Sequence, residues 1–244
     1  MNKIEELSKF AKNFNYGNIL NDLLADFGYL YSKDEIDYIA LHLQISIKPS
    51  KPNYIHGYVL TSALFKYVKD HSNLDICILE TGTARGFSSI IMATVLDEFR
   101  VNGCIYTLDN VNTFDKCYLS CKLNRKISLN ECIQPWNDVS NKYINFINGN
   151  SRERMKHLKS KFERIHFAFL DGSHDYDDVK YELDYVNNKQ LSGDVIVCDD
   201  YTPTQFPGIC QAIDEFLVKK QYESKIYYSD DGEKNRGYVY MKKI

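Results

Sequence analysis

The chain has 244 residues, of which 44% are hydrophobic, and a formal net charge of -3. That is enough for one α/β domain with a full core. No long basic run argues for nucleic acid, and no stretch approaches the roughly 20 apolar residues of a membrane helix. The N-terminus, Met1-Asn2-Lys3-Ile4-Glu5-Glu6, lacks the apolar core of a signal peptide, so the expectation is a cytoplasmic protein. Seven cysteines are scattered without a C-x-x-C pair, and Cys77 and Cys198 sit inside apolar runs as buried free thiols would. Cys117 and Cys121 are spaced to share a helix face, but no further Cys or His at ligand spacing supports a zinc site.

Residues 1–70 carry helical patterns. Leu20, Leu23, Leu24 and Phe27 recur at i, i+3, i+4 and i+7, Asp34–Leu43 is a second candidate and Gly57–Val68 a third. Pro49 and Pro52 interrupt the chain between the last two. The reading is a helical appendage over 1–70 that packs on a sheet or covers its crevice, followed by one domain over 71–244.

From about residue 74 strands and helices alternate. The predicted strands are Leu74–Leu79, Cys104–Leu108, Tyr143–Ile147, Ile165–Leu170 and Val195–Cys198. Helices are predicted over Phe87–Phe99, Val179–Asn187 and Ile209–Val218 from apolar residues at helical spacing. Lys225–Tyr228, a polar turn at Asp231-Gly232, and Gly237–Met241 read as a terminal hairpin. Such alternation implies a mainly parallel, Rossmann-like α/β sheet with an antiparallel edge. Residues 110–142 are too long for a simple crossover and read as an insertion that forms extra helices or a lid.

Two groups of residues carry chemistry. The first is Glu80-Thr81-Gly82-Thr83-Ala84-Arg85-Gly86, after a strand and before a helix that opens with Ser88 in its first turn. Glycines there permit a tight turn and close approach of a ligand, although a tight turn without a ligand is the plain alternative. Glu80 stands where a pyrophosphate would have to lie, which disfavours NAD and favours a cationic ligand. Asp109 ends the next strand, where a carboxylate can accept both hydroxyls of a ribose. The second group is Asp171, Asp199 and Asp200, all just beyond strand ends. Ligands of open α/β sheets bind at that edge. Converging carboxylates repel one another, and a hard divalent cation such as Mg²⁺ relieves the cost. Acids that only cap helices or face solvent are the alternative. His174, three residues after Asp171, is a candidate general base.

The pattern E-x-G-x-x-x-G, then Asp109, then Asp171 resembles class I S-adenosylmethionine-dependent methyltransferases over roughly residues 60–244. Ala84 stands where that family more often has a third glycine. The resemblance implies a seven-stranded sheet and cofactor contacts from Glu80, Thr81, Gly82, Thr83, Gly86, Ser88, Asp109 and Asp171. It puts adenine at Asn150 or Ser151, although Asn150 can equally be a polar turn residue. D-G-S-H-D-Y at 171–176 followed by D-D-Y at 199–201 is similar to the metal-dependent sugar O-methyltransferases, the group of the macrocin and mycinamicin enzymes and the cephalosporin hydroxylase-like proteins. That similarity implies Mg²⁺ on Asp171, Asp199 and Asp200, catalytic roles for His174 and Asp171, and a small-molecule or glycan hydroxyl as acceptor. Catechol-type methyltransferases share the layout but carry lysine where His174 stands. A metal-independent methyltransferase on nitrogen or carboxylate, an NAD-linked oxidoreductase and a silent cofactor-binding scaffold remain open, as does assembly into a homo-oligomer.

Overall fold

Strand β1 (Ile76–Thr81) is buried on both faces, as a central parallel strand covered on both sides must be, and is apolar up to Leu79. The computed structural model describes residues 3–14, 16–44, 54–71, 75–120, 123–158, 161–230 and 235–244. Pro49, Pro52, Leu74, Cys121 and the Asp231-Gly232 turn lie outside the described residues. After β1 come α5 (Phe87–Glu98), β2 (Gly103–Asp109), β5 (Ile144–Asn148), α8 (Ser151–His157), β6 (Phe167–Leu170), α9 (Tyr176–Asn187), β7 (Val195–Cys198), α10 (Pro207–Lys219), β8 (Tyr222–Asp230) and β9 (Asn235–Lys243). The strands form one seven-stranded sheet in the order β5-β2-β1-β6-β7-β9-β8. The first five are parallel, whereas β9 runs antiparallel to both β7 and β8.

This order contains a reversal. The chain builds outward from β1 to β2 and β5, then returns to lay β6 against the other side of β1. At such a switch point the loops leaving adjacent strands diverge and open a crevice at the carboxyl edge.

Alternating side chains divide the core. Phe167 and Phe169 of β6 face the side covered by α5, whereas Ala168 and Leu170 face α9 and α10. Four N-terminal helices precede β1: α1 (Lys3–Lys12), α2 (Ile19–Phe27), α3 (Lys33–Leu43) and α4 (Ile55–Asp70). Leu23, Ile36, Leu60 and Leu64 belong to the same buried cluster as Ile78 and Phe167. The buried face of α2 is Ile19, Leu23 and Phe27, and Leu24 turns outward with 48% exposure. The i+4 spacing therefore wins over the wider stripe read from the sequence. Among the described residues no helix is long and apolar enough to cross a membrane.

Other boundaries move for local reasons. β1 runs two residues further than expected and takes in Glu80 and Thr81, because β2 and β6 keep pairing with it. Tyr143 closes helix α7 (Asn137–Tyr143) instead of opening β5. The 110–142 insertion holds, besides α7, a small hairpin of β3 (Tyr118–Ser120) and β4 (Arg125–Ile127), helix α6 (Leu129–Cys132) and a 3-10 turn at Gln134–Trp136. Cys117 precedes β3 and lies on no helix, so the spacing that suggested a shared helix face loses its basis. At the opposite edge of the sheet the fully buried Asp194 accepts two hydrogen bonds from Arg164, at 2.8 and 2.9 Å, and one from Tyr67 at 2.7 Å.

Candidate active site

The crevice is built first from backbone. Gly82 has φ 88°, and a Cβ there would stand 2.0 Å from the carbonyl oxygen of Asp171. Gly86 has φ 84°, and a Cβ there would meet Ile133 at 2.8 Å. Both glycines are therefore demanded by the protein's own packing. The first lets β1 and β6 end side by side, and the second lets the insertion close on the loop. Ala84, the residue in place of a third glycine, adopts the left-handed conformation with φ 46°. Its N–H donates to Asp109 Oδ2 at 2.7 Å, and the Val111 N–H donates to Oδ1 at 2.8 Å. Each carboxylate oxygen keeps a second lone pair that a ribose hydroxyl can use. Arg85, also buried, straps the insertion down: it donates to the Leu119 carbonyl at 3.2 Å and lies 5.8 Å from the Tyr118 ring centroid.

Several candidate side chains are engaged by partners within the protein. Glu80 is fully buried beneath the first turn of α5, where its two oxygens accept hydrogen bonds from Ser88 and Ser89. Burial pushes its acid above the usual range, and the serine bonds oppose that shift. Thr83 and Thr107 pair through their hydroxyls. Thr81 donates to Glu182 at 2.9 Å, and Ser151 donates to the other oxygen of Glu182 at 2.6 Å. Asn150 caps α8 by accepting the Glu153 N–H at 3.2 Å, the turn role that competed with an adenine contact. Glu80, Thr81, Thr83, Ser88, Asn150 and Ser151 thus shape the loops around the crevice through bonds within the protein.

The acidic end lies beside this loop. Ligand atoms of Asp171, His174 and Asp200 lie within 4.8 Å of one another. His174 Nε2 is 3.1 Å from Asp200 Oδ2, and its ring stacks on Phe206 with centroids 4.3 Å apart. Asp199 sits behind this group, 4% exposed, with Oδ1 accepting the Asp200 N–H at 2.6 Å. That bond accompanies a left-handed Asp200, φ 59°. The gathered trio therefore contains His174 where the sequence suggested Asp199. Burial pushes Asp199 up to about 7, reinforced by the charge of Asp200 and opposed by Arg236. Asp171 is raised well above the carboxylate range by enclosure, then by Asp199 and Asp200. A divalent cation relieves this repulsion, and two carboxylates plus an imidazole are a donor set that Mg²⁺, Mn²⁺ or Fe²⁺ accepts.

Three contributors escaped the sequence reading. Arg236 reaches the acids because β9 pairs antiparallel with β7, and the Tyr201 N–H donates to the Gly237 carbonyl at 2.9 Å; no local signal marks it. Phe206 is likewise brought in by the fold. Glu182 did leave a trace, since it falls at i+3 on the apolar face Val179–Leu183–Val186.

The sheet order, the glycine turn at the switch point and the acids beyond the strand ends together define a class I methyltransferase fold. A family model described as a methyltransferase domain matches residues 79–201, half of the chain, and the chain belongs to that family. No curated protein matches it in sequence. Among solved structures it is similar to an O-methyltransferase from Bacillus cereus in complex with SAH, with 16% identity, TM-score 0.59, and 94% of this chain and 92% of that one covered. It is also similar to the O-methyltransferase TomG from Streptomyces achromogenes, involved in tomaymycin synthesis and bound to SAM. There the identity is 13%, the TM-score 0.60, and the coverage 93% and 96%. At these identities the likeness is one of fold.

Proposed function

We propose that the protein transfers a methyl group from S-adenosylmethionine to a hydroxyl oxygen, with Mg²⁺ at the acidic end and a sugar hydroxyl of a glycan or natural product as acceptor. The observation that carries this reading is the convergence of Asp171, His174 and Asp200 within 4.8 Å beside the glycine loop of a methyltransferase fold. Bound S-adenosylmethionine supplies the electrophilic methyl of its sulfonium. Asp109 accepts the ribose hydroxyls with its outer lone pairs, and the turn at 82–86 holds the methionine end. Asp171 and Asp200 would hold the cation, with Asp199 adding charge beside them; bound there, it would lower the pKa of an acceptor hydroxyl and orient its oxygen. His174 takes the acceptor proton. A neutral ring that donates Nε2–H to Asp200 presents Nδ1 as the base, and Phe206 fixes the ring plane. Positioning supplies much of the rate.

One observation favours a second reading, transfer without a metal. Arg236 already compensates part of the charge on Asp199 and Asp200. Calorimetric titration of S-adenosylhomocysteine, with NAD as control, and of Mg²⁺ separates these cases. The expected result is binding of S-adenosylhomocysteine, none of NAD, and a Mg²⁺ heat that Asp200→Asn abolishes. No binding of S-adenosylhomocysteine would refute the cofactor assignment. Methyl transfer undiminished in EDTA would select the metal-independent route.

A further inference from the structure

Glu182 is a buried acid beside the crevice that this chemistry leaves unused. It stands on α9 with 1% exposure, and burial pushes it up to about 7 against the pull of its two hydroxyl partners. Those partners come from different parts of the crevice. Thr81 is the last residue of β1, immediately before Gly82, and Ser151 is the first residue of α8, immediately after Asn150. β1 and β5 are not neighbours, because β2 lies between them. The carboxylate of Glu182 nevertheless ties the end of the one to the turn that follows the other, through bonds of 2.9 and 2.6 Å.

We propose that Glu182 is a positioning residue for the cofactor, fixing the separation between the glycine loop and the 150–151 turn so that the cofactor meets a preformed crevice. The inference rests on the cofactor assignment made above. A buried acceptor that satisfies two hydroxyls at once resists displacement, since losing it leaves both donors unpaired. Preorganised loops bind with a smaller entropy loss than loops ordered by the ligand.

The test is the affinity for S-adenosylhomocysteine, read by calorimetry well below the unfolding temperature, with circular dichroism confirming the fold. Glu182→Ala should bind about ten-fold more weakly than wild type. Glu182→Gln keeps one acceptor and turns an amide to the other hydroxyl, so it should recover to within about three-fold. Thr81→Val removes one arm of the bridge without touching the ligand and should weaken binding in the same direction. Adding it to Glu182→Ala should cost nothing more, because both act through one contact. A Glu182→Ala protein with a lower melting temperature but unchanged affinity would overturn the inference and leave a purely structural role. Should Glu182→Ala not fold, Thr81→Val binding as tightly as wild type overturns it instead. Wild-type protein that fails to bind S-adenosylhomocysteine removes the cofactor assignment and this inference with it.

Discussion

Gly82 and Ala84, two residues apart, carry opposite constraints. Gly82→Ala forces a Cβ against the Asp171 backbone at 2.0 Å, and neither strand can retreat without breaking its pairing. It should cost about 3 kcal/mol or more, seen as a large fall in the urea midpoint. Ala84 already pays for a left-handed conformation that glycine adopts freely. Ala84→Gly relieves that strain and gains freedom in the unfolded chain, so stability should change by no more than about 1 kcal/mol. The glycine motif was legible as a turn, but its cause was not. The atoms that forbid a Cβ belong to Asp171 and Ile133, about 90 and 50 residues away along the chain.

Elements beyond the central strands decide who covers the crevice. Within the insertion, Ser128 caps α6: its hydroxyl accepts the Glu131 N–H and Glu131 returns a bond to the Ser128 N–H. This reciprocal cap stands directly before Leu129, whose side chain packs over Gly86. Ser128→Ala should lower stability by about 1 kcal/mol in chemical denaturation. The sequence showed an insertion from its length alone. It did not show the β3–β4 hairpin, because two three-residue strands carry too little pattern to be seen.

At the scale of the molecule, charge accumulates at one edge of the sheet. Asp199 and Glu182 are pushed up to about 7, and Asp171 and Glu80 are also raised. A raised acid binds its proton more tightly folded than unfolded. Its contribution is therefore complete below the ordinary carboxylate range and is lost as pH rises towards 7 and beyond. In EDTA the melting temperature should fall between pH 5 and pH 8, and Asp199→Asn should flatten that fall. Mg²⁺ should restore stability mainly at pH 8, where protons no longer compete for the carboxylates. A profile in EDTA as flat as that of Asp199→Asn would show that these acids are not strained in the folded chain. Helices α2, α3 and α4 share a buried cluster with the sheet, which joins them to the strands through packing.

The sequence by itself determined the strand–helix alternation, the glycine turn, and the acids at strand ends, because each is written in neighbouring residues whose periodicity follows from backbone geometry. It also carried Asp171, His174, Asp199 and Asp200 as a set. Only the tertiary structure decided which of them meet. His174 joins Asp171 and Asp200 while Asp199 is held behind, through a local backbone twist at Asp200 and the stacking of Phe206. Tertiary structure also brought Arg236 to the acids and gave Glu80, Thr81 and Ser151 partners within the protein. Strand register and side-chain direction at a sheet edge depend on which strands become neighbours, and that is settled by packing of the whole chain rather than by any local run of residues.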